Sequence, residues 1–465
     1  MLNFWDFSVW AWINTFAVLL GSLLVGNVLK RSIPVLRDSL TPTSVVGGII
    51  LLIVAAIYKA VTGEVMFDTA AFGTNGTAHL EVITYHALAL GFIASSFKST
   101  GSKLTKKRSS EIFNTGVTTV ATYLRQGILG LGITIICTLI IKDFFAAAGV
   151  LLPFGYGQGT GQALNYGTIY EVEHGFEGGK SFGLTIAALG FLSASIGGVI
   201  HLNVMKKRGR IVFSSRTDGS THAEEVDPAD EIPLQESIDK FTVQIALIIV
   251  AYIAAYLLMF CLGNLLPGMR SVIYGFNFLL GVLTATVIKL VMNFLHKKQI
   301  IHRKYVNNFL MTRASNFFFD LMVVAGVAAI RLDILENFWG IILILAAVGA
   351  VFTFIYNRFI AKALFADYYE EQFLMMYGML TGTASTGIIL LREIDGNFKT
   401  PASDNMVYQN FPAIVFGFPM MFLATLAPTR PYLVLIIFAI FFAALNLILF
   451  RSRIFRKKGN AEAEM

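Results

Sequence analysis

The sequence predicts an all-α polytopic membrane protein with about eleven transmembrane helices, and three observations carry that expectation. Of 465 residues, 55% are hydrophobic and only 14% charged, at a mean hydropathy of +0.68, whereas a soluble chain carries about 25% charge. The apolar residues fall in runs close to the ~20 that a membrane helix needs. The 36 Lys and Arg gather in short clusters between those runs, a distribution that sets membrane orientation rather than one that grips nucleic acid. The same numbers exclude a disordered chain and an ordinary cytosolic enzyme. Cys137 and Cys261 both lie in apolar runs, which leaves no disulfide framework or metal cluster to build on.

The first run, Ser8 to Leu29, has no basic leader and exceeds a signal-peptide core, so it counts as a span. Ten more follow, giving 8–29, 43–61, 83–97, 113–141, 181–205, 241–265, 271–295, 309–330, 338–363, 405–427 and 431–450. The third is short. Two further stretches, 146–170 and 373–394, are apolar but interrupted by glycine. Each is expected to be a re-entrant hairpin, since non-helical backbone survives at membrane depth only where protein or a cavity covers it.

Basic residues follow every odd-numbered span: Lys30, Arg31 and Arg37 after the first, Lys98 to Arg108 after the third, Lys206 to Arg210 after the fifth. Lys297 to Lys304, Arg358 with Lys362, and Arg451 to Lys458 complete the series, and 62–82 contains none. All clusters therefore share one side, the cytoplasm, with the N-terminus outside and the C-terminus inside. Asn75-Gly76-Thr77 in that outer loop is a formal glycosylation acceptor without a secretory context and is taken as chance.

The polar linker 206–240, with Asp227, Asp230 and Glu231, divides the chain into repeats at 1–205 and 241–427, followed by an extra helix and basic tail at 428–465. Each repeat has five spans with its hairpin between the fourth and fifth. Five is odd, so the second repeat is inverted: hairpin 146–170 enters from outside and hairpin 373–394 from inside. Gly157-Gln158-Gly159-Thr160-Gly161 in the first answers Gly378-Met379-Leu380-Thr381-Gly382 in the second. Inverted repeats with broken segments at matching places point to a secondary transporter whose site lies at the midplane.

A broken helix offers N–H groups to a carboxylate at one end and carbonyls to a cation such as Na⁺ at the other. The first hairpin supplies Gly155, Gly157, Gln158, Gly159, Thr160, Gly161 and Asn165 as candidates. The second supplies Thr381, Gly382, Thr383, Ser385, Thr386 and Gly387. Small residues that only let helices pack closely are the alternative. A dinucleotide fingerprint is excluded, because the third glycine of G-x-G-x-x-G falls on Thr160, Gln162 or Leu164. Gly155-Tyr156-Gly157 follows Pro153-Phe154 rather than the Thr-Val of a potassium filter.

Charges within spans are costly and mark candidates by default. Arg125, in span four beside Gln126, is expected to contact a substrate carboxylate or to neutralise a carboxylate such as Asp320 in span eight. Asp320 itself is either a cation or proton site or a structural mate. Lys289 and Arg313 are expected to snorkel, and Arg392 with Glu393 closes the second hairpin. His79, His174, His222, His296 and His302 fall in loops or at span ends, and no catalytic constellation recurs. A membrane enzyme therefore has no positive feature behind it, and a passive channel only the hairpins.

At Gly157-Gln158-Gly159-Thr160-Gly161 the chain resembles the bacterial sodium:glutamate symporter family, whose tract is Gly-His-Gly-Thr-Gly, with Gln158 in the histidine's place. Gln126 matches a glutamine in the family's preceding span, and the polar linker also matches, so the resemblance covers most of 1–427. The resemblance implies Na⁺-coupled uptake of an acidic amino acid, or another small carboxylate, across the bacterial inner membrane. It also implies a homodimer whose hairpin-bearing core moves against a scaffold, with no cofactor beyond the coupling ion and no nucleic acid.

Overall fold

The computed structural model describes residues 3–98, 105–211, 238–300, 305–396 and 399–451. The expected linker acids, Lys103, Arg303, Lys304, the tail past Arg451 and the side chain of Ser385 lie outside that description. Among the described residues there are eighteen α-helices and no strand.

The first half of the sequence forms α1 (Phe7–Ser32), α2 (Pro34–Asp38), α3 (Thr43–Thr62), α4 (Gly76–Phe97) and α5 (Lys106–Ile140). A broken pair follows, α6 (Leu151–Gln158) and α7 (Thr160–His174), and then α8 (Gly179–Lys207). The second half forms α9 (Lys240–Leu265), α10 (Arg270–Gly275), α11 (Asn277–Lys297), α12 (Asn308–Ala328) and α13 (Trp339–Leu364). Its broken pair is α14 (Tyr369–Thr381) and α15 (Ala384–Arg392), followed by α16 (Ala402–Tyr408), α17 (Asn410–Leu426) and α18 (Pro431–Leu449). Ten helices are long and apolar enough to cross a membrane, and α16 with α17, bent by 50°, makes an eleventh if taken as one span. The chain is an all-α, multi-pass membrane protein.

Three expected boundaries move, each for a local reason. The short third span lengthens to Gly76, where Asp68 accepts from the Thr77 amide at 3.0 Å and starts the helix ahead of its apolar run. The seventh breaks at Phe276, because the Asn277 side chain accepts from the Phe278 amide at 2.6 Å in place of a helical carbonyl. The tenth bends at Gln409, three residues before Pro412, whose ring crowds the preceding turn and has no N–H to give.

The chain forms two compact units. Unit 1 is Met1–Gly26, Gly47–Lys103 and Ser215–Ala329, and unit 2 is Asn27–Val46, Leu104–Ser214 and Ile330–Met465. Unit 1 thus takes the first three spans of each half. Unit 2 takes the fourth, the broken pair and the fifth of each, together with α18. In unit 1, α4 lies along α12, with Gly91 against the Phe319 ring. Its core includes Ile93, Phe97, Ile248, Ala251 and Met311, all fully buried.

Unit 2 is organised around α5, which touches α6, α13, α17 and α18. Gly130 of α5 and Gly149 before α6 bring their backbones into direct contact, and an added Cβ on either would overlap the other's carbonyl. Both broken pairs also lean on α8, where Gly190 sits against the Thr381 carbonyl and the Tyr156 ring together. Buried tyrosine hydroxyls must find acceptors in an apolar bundle, and they tie the first pair in place. Tyr156 donates to the Ala346 carbonyl, Tyr166 to Met421 and Tyr170 to Ala424, each at 2.7 Å.

Gly130→Ala should therefore lower the thermal midpoint of the detergent-purified protein, by the equivalent of about 1–3 kcal/mol. Gly132→Ala, whose new methyl meets nothing within 4 Å, should hold or raise the midpoint, by up to about 1 kcal/mol. Equal midpoints for the two variants would contradict the close approach.

Candidate functional site

Both glycine tracts are helix breaks within unit 2. The first break is Gly159, at φ +80° and ψ −171°, a region that only glycine occupies without strain. A Cβ there meets nothing nearer than the Phe191 ring at 3.9 Å, so backbone conformation, not ligand space, demands the glycine. Phe154 stacks on Tyr166 at 3.7 Å across the break, folding α6 back along α7. The second break spans Gly382 and Thr383. Gly378 and Gly387 press α14 against α15, so these two glycines serve the contact between the arms.

The breaks meet at one side chain. Gln126 of α5 is 2% exposed and its Nε2 donates to the Leu380 carbonyl at 2.9 Å and to Thr353 Oγ1 at 2.8 Å. Leu380 belongs to the last turn of α14, where carbonyls lose their helical donors. Gln126 Oε1 has no partner and lies beside Gly157, one residue from the end of α6. The Tyr123 hydroxyl, one turn earlier on α5, donates to the Gly157 carbonyl at 2.9 Å. A side chain on Gly157 would overlap the Tyr123 ring. Two C-terminal half-helix ends therefore converge on Gln126. Each carries about half a negative elementary charge, about one in total, which suits a monovalent cation.

The positive end is that of α7. Its N-cap, Gly159, has no side chain with which to cap the first turn of Thr160, Gly161 and Gln162, and a helix N-terminus is a natural seat for a carboxylate. Gln162 adds to it, being 1% exposed with neither side-chain atom paired. The second tract differs. The Thr383 hydroxyl accepts from the Thr386 amide at 3.3 Å and lies 3.2 Å from the Thr386 hydroxyl, so α15 caps itself. The Thr381 hydroxyl is spent on the Tyr377 carbonyl at 2.6 Å.

The structure thus brings together Gln126, Gly157 and the last turn of α14 at Thr381, with Gly159, Thr160 and Gly161 at the adjoining break. Gly155 packs against Ile186 of α8, Asn165 is buried further along α7, and Gln158 is half-buried at the end of α6. Arg125 is not in this group. Its guanidinium lies 5.1 Å from the Tyr356 ring centroid and 5.5 Å from that of Phe352. It borders a cavity of about 550 Å³ with Ile128, Leu129, Phe359, Ala439 and Phe442. Among the described residues no carboxylate pairs with it. Asp320 belongs to unit 1 and is exposed on α12. Lys289, also in unit 1, donates to the carbonyls of Ser96 and Lys98 at the end of α4.

Sequence reading missed Gln162, Tyr123, Thr353 and Asn357. Gln162 stands one place past the tract that was singled out, and the threonines of α5 recur at helical spacing ahead of Gln126; both signals were present. No protein-family profile matches this sequence, and no curated protein matches it.

The base of α14 is held by a buried ionic cluster. Glu370 and His201 are each 5% exposed, with His201 Nε2 at 2.8 Å from Glu370 Oε2. Arg358 donates to both carboxylate oxygens, at 3.3 and 3.4 Å. Burial pushes the Glu370 carboxyl up, but His201, Arg358 and Tyr369 outweigh it and hold the group below its ordinary 4.5. A depressed carboxylate contributes stability above its unfolded value and loses it as pH falls through its folded one. The thermal midpoint should therefore drop as pH is lowered from about 6 to below about 4. Glu370→Gln, measured alongside, should unfold earlier at neutral pH and show a flatter acid limb. Parallel curves would remove Glu370 as the cause.

Proposed function

We propose that the chain is a Na⁺-coupled symporter of an acidic amino acid such as glutamate, or of another small carboxylate. It works in a bacterial inner membrane as a homodimer, with unit 2 as the substrate-carrying core. The observation that carries this reading is Gln126, bonded to the end of one broken helix and lying beside the end of the other. Gln126 Oε1, which has no partner, supplies oxygen for Na⁺, and the C-terminal ends of α6 and α14 beside it supply negative dipole. The first turn of α7, whose N-cap is a glycine, supplies donors for the substrate carboxylate together with Gln162 Nε2. Cation and anion thus bind at neighbouring ends of the same break, and each lowers the electrostatic cost of bringing the other into a low-dielectric bundle. That mutual dependence is what couples their movement. The resemblance of the Gly157–Gly161 tract and of Gln126 to the sodium:glutamate symporters supports the same assignment.

Reconstituted in proteoliposomes, the protein should concentrate labelled glutamate or a related carboxylate when an inward Na⁺ gradient is imposed, and Gln126→Ala should cut the rate by at least about tenfold, the effect of losing some 1.4 kcal/mol of binding. Equal uptake with and without the gradient would make the protein a passive channel. A chemically altered compound would make it an enzyme.

The orientation is part of the proposal. A cysteine at Thr74, with Cys137 and Cys261 replaced by Ala, should react in whole cells with an impermeant thiol reagent, while one at Lys207 should react only after the membrane is opened. The reverse pattern would invert the topology.

A further inference from the structure

The face of α5 that leads to Gln126 is polar throughout. Glu111, Thr115, Thr119, Thr122 and Gln126 recur three or four residues apart and so share one side of the helix. None is more than 9% exposed. At 1.5 Å per residue the stripe covers about 22 Å, from the end of α5 that carries Lys106, Lys107 and Arg108 to the meeting point of the two breaks. Polar groups of α13, α14 and α16 line it. Gln372 donates to Thr115 Oγ1 at 3.1 Å and accepts from Asn405 at 3.0 Å, and the Thr122 hydroxyl lies 2.9 Å from Asn357 Oδ1. At the basic end Arg108 closes the stripe by donating to Glu111 at 2.7 Å.

Five atoms in this region, all buried, have no hydrogen-bond partner: Thr119 Oγ1, Gln126 Oε1, Asn357 Nδ2, Asn405 Oδ1 and Gln409 Oε1. Each such group costs about 1–3 kcal/mol if nothing satisfies it. A region of one apolar bundle that collects five of them is built to take something between its helices. Four of the five are oxygens, the atoms that hard cations choose, and the stripe itself carries no Lys or Arg to receive an anion. We infer that this stripe is a hydrated file through which a small monovalent cation moves between the basic end of α5 and Gln126, with Thr119 and Asn357 as its resting place midway. The identification of the ion as Na⁺ rests on the symport reading; the wetness of the file and its preference for cations do not.

The test uses the full chain in proteoliposomes, with Cys137 and Cys261 replaced by Ala. Thr119→Cys is compared with Leu124→Cys, a position equally buried on the opposite side of α5. The probes are a trimethylammonium and a sulfonate methanethiosulfonate, which react with a thiolate only where water reaches it. Thr119→Cys should react with the cationic probe at least about tenfold faster than Leu124→Cys, slower with the anionic probe, and slower again when Na⁺ replaces choline. A rate no higher than that of Leu124→Cys overturns the file. Faster reaction with the anionic probe overturns its assignment to a cation, and no protection by Na⁺ overturns Na⁺ as that cation.

Thr119→Val, nearly isosteric, keeps the test open if the cysteine variant fails to fold. It should raise the Na⁺ concentration for half-maximal uptake about tenfold with the carboxylate KM little changed, and an unchanged Na⁺ dependence counts against the file. Labelling and Na⁺ protection in a protein that accumulates no carboxylate would sink the symport reading and leave the file standing. Normal gradient-driven uptake with an unreactive Thr119→Cys would do the reverse.

Discussion

A helix that stops inside an apolar bundle leaves carbonyls or amides with no partner, and water cannot supply one. Unit 2 contains two such stops, at Gly159 and at Gly382–Thr383, and much of its construction answers them. One amide side chain, Gln126, takes the Leu380 carbonyl of one break and stands beside Gly157 of the other. Tyr123 takes the Gly157 carbonyl. Beside the breaks, Gln126 Oε1 and both side-chain atoms of Gln162 remain without a hydrogen-bond partner. On the proposed reading, a cation near Gln126 and an anion at the start of α7 favour each other, because each neutralises the field the other would face.

The surrounding structure reduces the freedom of those two ends. Tyr156, Tyr166 and Tyr170 fix the first broken pair to α13 and α17 by hydroxyl bonds of 2.7 Å. The Glu370–His201–Arg358 cluster fixes the base of the second to α8 and α13. Because Glu370 is buried, loss of either partner would strand a charge, so the cluster specifies one position for α14 rather than merely adding stability. Close backbone contacts, at Gly130 with Gly149 and at Gly190 with Thr381, set the distances. Bond-forming groups sit at the bases and along the shafts of the hairpins.

Much of this architecture was legible in the sequence. The eleven apolar runs correspond to ten long helices and one bent pair, because bilayer length leaves a strong periodic signal. The first break was legible as a glycine-interrupted apolar stretch, and at Gly159 it is the φ of +80° that requires the glycine. In the second tract the Thr381 and Thr383 hydroxyls bond to backbone groups of their own helices. Composition does not reveal which acceptor a threonine will choose. Arg125 and Gln126 are adjacent in sequence and were read together. A helix rotates by about 100° per residue, and that single step sends one to the paired breaks and the other to the rings of Phe352 and Tyr356. Asn357 and Thr353 come from a helix more than 200 positions away from Gln126, and their role rests on packing that no local pattern encodes.

The central claim is that Gln126 makes the two breaks into one Na⁺-dependent carboxylate site, and binding to the folded state raises thermal stability in proportion to occupancy. The most direct measurement is the thermal midpoint of the purified protein in choline and in Na⁺, each with and without glutamate, for the wild type and for Gln126→Leu. The account predicts that Na⁺ raises the wild-type midpoint, that glutamate raises it further only when Na⁺ is present, and that Gln126→Leu shows neither rise. The same stabilisation in both proteins, or a glutamate effect that ignores Na⁺, would contradict it.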